Sequence, residues 1–155
     1  MKLYHGTTDA SAQSINQSLQ QNGNTPKPPR PAPIPNNIDV CLGGGEFGQG
    51  FYLGENISLA VIWATGTLGQ QNGAVLEFDI NDLKYVRLHL KQLNSRTAKN
   101  TYNQLKRSRE LRTYIFGVDV VFGPLVTNLY AAQYKFESKP TAEDFLNQTH
   151  ITRIL

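Results

Sequence analysis

His5, Tyr52 and the run Gly43-Gly-Gly-Glu-Phe-Gly-Gln-Gly-Phe-Tyr-Leu-Gly54 are the parts of this chain whose residue types and spacing can do chemistry. Six glycines fall between Gly43 and Gly54, so the backbone there can take positive φ and let a ligand approach where a Cβ would block it. Such a stretch has a purpose only if something sits against it. Phe51, Tyr52 and Leu53 read as a short extended segment whose successive side chains point to opposite sides, one aromatic to the core and its neighbour to a ligand. His5 ends a predicted strand and is followed at once by Gly6, a place where ligand contacts concentrate. No Gly-Lys-Ser/Thr follows the glycines, and their spacing is not a dinucleotide fingerprint, so neither phosphate-binding motif is present. Read alone, the stretch is also an ordinary surface loop before a helix. Cys41 is the single cysteine; it excludes an internal disulfide and a cysteine-based metal site, and it reads as a small buried apolar residue rather than a nucleophile.

These residues need elements to hold them. Lys2–His5 reads as a strand with Leu3 and His5 on one face and Tyr4 on the other. Gly6-Thr7-Thr8 breaks it, and Thr8 or Asp9 can cap a helix carrying Ile15 and Leu19 that Gly23 ends. Residues 25–37 hold six prolines; they favour an extended polyproline loop, with PxxP spacing as a weak docking signal. After the glycines, Asn56 or Ser58 can cap a helix whose Leu59, Ile62 and Trp63 form an apolar stripe. Ala74–Ile80 alternates as a strand, with Leu76, Phe78 and Ile80 against Glu77 and Asp79. Asn81-Asp82 turns the chain into a second short strand or edge at Tyr85, Val86 and Leu88. Ser95 to about Thr113 reads as a helix with a thin stripe of Tyr102, Leu105 and Leu111. Strands at Val118–Phe122, Gln133–Glu137 and His150–Leu155 follow, with a short helix capped by Thr141 and carrying Phe145 and Leu146. The clustering of strands after the second helix predicts an α+β fold rather than a βαβ series.

The length fits one domain, residues 1–155, able to bury a substantial core. Hydrophobic residues make up 39% of the chain, which excludes a wholly disordered protein. No apolar run is long enough to span a membrane, and the first residues lack the apolar core of a secretory signal, so the expected place of action is the cytoplasm of the producing or a target cell. Net charge is +3, but nine of the fifteen basic residues lie between Lys84 and Arg112 with Glu110 as the one acid among them. That segment reads as a footprint for an acidic partner or a nucleic acid backbone, or as the solvated face of a helix.

Three segments together resemble the ADP-ribosyltransferase superfamily. They are His5-Gly6-Thr7 on a first strand, Gly48-Gln-Gly-Phe-Tyr52-Leu followed by Ser58-Leu-Ala60 and Trp63-Ala64, and the late strand Gln133-Tyr-Lys-Phe136. The likeness is to the diphtheria-toxin and poly(ADP-ribose) polymerase-like branch, named for a His-Tyr-Glu triad, and within it to small bacterial domains in which a strand like Asp119–Pro124 precedes a Gln-Tyr-x-Phe strand. The resemblance implies two small, mostly antiparallel sheets around an NAD cleft with flanking helices. It implies NAD as substrate and no metal. His5 would hydrogen-bond a ribose hydroxyl, and the Gly6 backbone would pair with the nicotinamide carboxamide. Thr7 would contact the adenine ribose, Tyr52 would stack on the pyridinium ring, Ser58 would shape the wall, and Gly50 and Phe51 would join the NAD-binding residues. The third triad position departs from the pattern, because Gln133 stands where transferases usually place a glutamate. Glu137 is about 13 Å along the same strand face, too far to substitute, whereas Glu46 can swing in as the carboxylate.

The resemblance therefore implies a mono-ADP-ribosyltransferase, a toxin or effector of bacterial or phage conflict, acting on a protein or nucleic acid and answered by an antitoxin or immunity protein. Two other outcomes stay open, an NAD glycohydrolase and a catalytically silent NAD or ADP-ribose-binding module. An RNA 2′-phosphotransferase relative shares the His-Gly-Thr start, but its expected arginines find no match.

Overall fold

The computed structural model describes residues 1–20, 45–67, 73–107, 114–128, 130–137 and 139–155. The proline-rich segment, Cys41, Gly23, Arg109, Arg112 and Leu111 lie outside these residues. The fold is α+β, and the chain forms two compact units, each drawn from separated stretches: Met1–Pro29, Leu53–Arg87 and Glu143–Leu155 in the first, Arg30–Tyr52 and Leu88–Ala142 in the second.

The first unit is built on β1 (Lys2–Thr8), β3 (Gly73–Asp79) and β7 (His150–Arg153), with β2 (Phe51–Gly54) contributing its last two residues. The order is β2-β1-β3-β7, and every described pairing is antiparallel. The register sets Leu3 against Phe78, His5 against Leu76 and Gly6 against Val75 and runs on to Thr8 against Gly73, so Gly6-Thr7-Thr8 continues the strand expected to break there and His5 lies within it rather than at its end. Leu3, Leu76, Phe78 and Ile80 are buried and Asp79 is exposed, as the alternation predicts. Helix α1 (Asp9–Gln20) starts where the Thr8 hydroxyl accepts the Ser11 amide at 3.1 Å, satisfying a donor that the first helical turn leaves open.

Helix α2 (Ile57–Ile62) is capped by Asn56, whose Oδ1 accepts the Leu59 amide at 3.2 Å, and runs on as a π-helical turn, Trp63–Thr67. Its buried face is not the predicted stripe of Leu59, Ile62 and Trp63. Ala60 and Ala64, four apart, are buried against Val75 with Tyr4 and Val61 alongside, while Ile62 and Trp63 stay 54% and 48% exposed. The cause is close approach: a Cβ on Gly6 would lie 2.1 Å from the Ala60 carbonyl oxygen. Only small residues on the helix let the backbones come that near. The predicted strand at Tyr85–Leu88 is also corrected. Asn81 caps a single helical turn, α3 (Asp82–Tyr85), which buries Tyr85 beside Phe145.

The second unit orders its strands β4-β5-β6-β2, with β4 (Leu90–Gln92), β5 (Val120–Pro124) and β6 (Ala132–Phe136) joined by the first two residues of β2. β4 and β5 run parallel, and β5 and β6 antiparallel; the strands belong to one seven-stranded sheet rather than the two small sheets expected. Helix α4 (Ser95–Arg107) begins at Asn94, whose Oδ1 accepts the Thr97 amide at 2.9 Å. Its Ala98 joins Phe47, Leu93, Val118 and Val121 in the core, against which Tyr52, Phe116 and Val126 pack. Helix α5 (Pro140–Asn147) opens on a proline, whose missing amide costs nothing at the first helical position. Thr141 is inside that helix rather than capping it, and its hydroxyl donates to Asp119 Oδ1.

Candidate functional site

Gln133, Lys135 and Glu137 share one face of β6 and its end, because side chains two apart on a strand point the same way. They are 5%, 0% and 1% exposed. Polar groups buried to that degree require partners, and the glycine stretch and residues 114–117 supply them. Gln133 Nε2 donates to Glu46 Oε2 at 2.9 Å. The Lys135 ammonium donates to the Phe47 carbonyl at 2.9 Å and to the Tyr114 carbonyl at 3.4 Å. It also lies 3.8 Å from Glu137 Oε1 and 5.0 Å from the centre of the Phe116 ring. Glu137 Oε1 and Oε2 accept the Phe116 amide at 2.8 and 3.0 Å. Burial pulls the Lys135 ammonium down from 10.5 to about 8, with Glu137 opposing the drop.

Glu46 is already docked on Gln133. Besides the Gln133 amide, its carboxylate accepts the Val126 amide, the Thr127 amide at 3.2 Å and the Thr127 hydroxyl at 3.1 Å. Four donors meet a group with about four lone-pair sites, so the carboxylate is fixed in place and joins the glycine stretch to the turn after β5.

Tyr52 is fixed on the same stretch. Its hydroxyl donates to the Gly48 carbonyl at 2.6 Å and accepts the Phe47 amide at 3.1 Å. Burial pushes its pKa well above the usual phenol value; the Phe47 amide opposes this, and the Glu137 and Glu46 charges reinforce it. Phe51 and Leu53 are buried and Tyr52 is only partly so, as alternation along the strand predicts. What sits against the glycines is the protein itself. A Cβ on Gly45 would fall 2.1 Å from the Tyr52 ring, and one on Gly50 would fall 2.5 Å from the Lys135 chain. Gly48 takes φ 88°, with the Tyr114 carbonyl close by. Gly45, Gly48 and Gly50 are therefore accounted for by close packing against Tyr52, Tyr114 and Lys135.

Glu46, Gln133, Tyr52, Phe51 and Gly50 thus belong to the second unit, and the hydrogen bonds bring Glu46 to Gln133. His5, Gly6, Thr7 and Ser58 belong to the first. There His5 is half-buried on β1, Thr7 is buried on the same face, and Ser58 is exposed in the first turn of α2. Among the described residues no group of His, Cys, Asp and Glu forms a metal-binding cluster, and no helix is long and apolar enough to cross a membrane.

Lys135 was not among the residues singled out from the sequence. In Gln-Tyr-Lys-Phe-Glu the polar residues alternate with aromatics, which reads as a strand with a wet face. The available signal was the glycine stretch, since a loop able to lie flat on a strand can cover a polar face. A scan against protein-family models finds no match, and a search of curated proteins finds none.

Proposed function

We propose that this chain is an NAD-dependent mono-ADP-ribosyltransferase in which Glu46, held on Gln133, provides the carboxylate that the triad's third strand position lacks. The observation that carries this reading is the 2.9 Å hydrogen bond between Gln133 Nε2 and Glu46 Oε2. In the reaction, the bond between nicotinamide and ribose breaks and its electron pair leaves with nicotinamide. An acceptor oxygen or nitrogen then bonds to the ribosyl carbon and gives up its proton. The ring nitrogen is already cationic, so departure needs no general acid; it needs positioning and negative charge beside the developing cation. Glu46 supplies that charge. By the resemblance Tyr52, its hydroxyl committed to Gly48 and Phe47, would stack on the nicotinamide, which requires its ring to be uncovered from the Gly45 side.

One observation favours a second reading, a binding module without turnover. All four acceptor positions of Glu46 are occupied by the protein's own donors, which leaves little capacity to orient an incoming hydroxyl. Labelled NAD incubated with separate protein and nucleic acid acceptors decides between them. The transferase reading expects covalent label, lost by about 100-fold or more in Glu46→Ala and Tyr52→Ala while circular dichroism shows a retained fold. Equal labelling by wild type and Tyr52→Ala overturns it. Calorimetric binding of NAD with no label and no free nicotinamide establishes the binding module, and nicotinamide release without label establishes a glycohydrolase.

A further inference from the structure

Charge divides sharply between the two units. Among the described residues the first unit carries Asp9, Glu55, Glu77, Asp79, Asp82, Glu143 and Asp144 against Lys2, Lys84, Arg87 and Arg153. In the second unit the balance reverses, with Lys91, Arg96, Lys99, Lys106, Arg107, Lys135 and Lys139 against Glu46, Asp119 and Glu137. Those three carboxylates are all turned to internal donors. Glu46 takes Gln133, Val126 and Thr127. Asp119 takes the His89 amide at 2.8 Å and the Thr141 hydroxyl. Glu137 takes the Phe116 amide. Among its described residues, the charge this unit presents outward is therefore cationic.

Most of it lies on α4. At about 100° per residue, Arg96, Lys99, Lys106 and Arg107, with Asn100 and Asn103, fall within an arc of about 120°, opposite Ala98 and Leu105, which are buried. The stripe is about 16 Å long at 1.5 Å per residue. An ordinary solvated helix face interleaves acids three or four positions from its cations; α4 has no acid in its first turn and none along its length. Among the described residues no ion pair joins any of its four cations. The face also lacks an open stacking ring, since Tyr102 is half-buried with the Lys106 ammonium 5.7 Å from its centre.

We propose that this face of α4 is a docking surface for double-helical nucleic acid, held through its phosphates. A rigid, evenly cationic stripe matches the dense, regular charge of a duplex, and the absence of a stacking platform disfavours a single strand. The proposal names the acceptor class for the transfer reaction above, but it stands on charge and geometry and can be tested without NAD.

Binding of a labelled DNA duplex is followed by fluorescence anisotropy between about 50 and 200 mM salt. Wild type is expected to bind with a log–log salt slope of about −3 to −4, four cations contributing about 0.9 each. Arg96→Gln/Lys99→Gln/Arg107→Gln, exposed positions that leave the fold intact by circular dichroism, should bind at least tenfold more weakly, with a slope shallower by about 3. A salt-independent signal, or equal binding by the variant, overturns the proposal. Tighter binding of the matching single strand overturns it too, as does equal binding of poly-glutamate, which would assign the face to an acidic protein. Because NAD is absent, failure here and failure of the transferase reading are separate results.

Discussion

At the scale of single residues, Lys135 has the most legible consequence. Below about pH 8 its ammonium is charged in both folded and unfolded chains, and the cost of burying that charge is present in full. Between about 8 and 10.5 the folded state releases a proton that the unfolded chain still holds, so this group makes the protein more stable as pH rises. Urea denaturation of wild type and Lys135→Met at pH 7.5 and 10 should show a rise in wild type, at most about 3 kcal/mol, that the variant lacks. Tyr52 acts with the opposite sign: its raised pKa contributes stability that is present below pH 10 and lost above it. Tyr52→Phe should flatten that alkaline loss. Glu46→Gln keeps the shape but puts an NH2 either against the Val126 and Gln133 donors or against the Thr127 amide, whichever way the amide turns. The mismatch should cost about 1–3 kcal/mol, read as a lowered Tm, whether or not the residue takes part in chemistry.

At the scale of elements, α2 is held by the smallness of its contact. Gly6→Ala drives a methyl into the Ala60 carbonyl and should destabilise by about 1–3 kcal/mol or more, whereas Ile62→Ser, on the exposed side, should stay within about 0.5 kcal/mol. Paired thermal melts check both. Reversal of that ranking would restore the apolar stripe that Leu59, Ile62 and Trp63 suggest. The stripe misleads because hydrophobicity marks which residues are costly to expose, while backbone proximity at Gly6 decides which residues fit.

At the scale of the whole molecule, both units are assembled from stretches far apart in sequence. β7 is the clearest case: Phe78 pairs with Ile151 and Asp79 with His150, and the Ile154 amide donates to the Val75 carbonyl at 2.9 Å. Removing residues 150–155 bares one edge of β3 and should lower Tm and soluble yield together, a larger effect than any exposed substitution on α4. Two of the divisions between the units fall inside regular elements, one in β2 between Tyr52 and Leu53 and one in α5 between Ala142 and Glu143.

The sequence alone determined what depends on neighbours along the chain. The alternation of Leu76, Phe78 and Ile80, the sidedness of Leu3 and His5, and the α+β class all follow from local periodicity and are found; of the paired cap candidates Thr8 or Asp9 and Asn56 or Ser58, the structure uses Thr8 and Asn56. Tertiary structure decided which side of an alternating segment is inside. In β6 the polar side is buried as well as Phe136 on the other face, because Gly45–Gly50 lies over it and offers Lys135 a carbonyl and Gln133 a carboxylate. Hydrogen bonds between residues some 87 positions apart leave no trace in local pattern; they exist only once the loop has folded onto the strand.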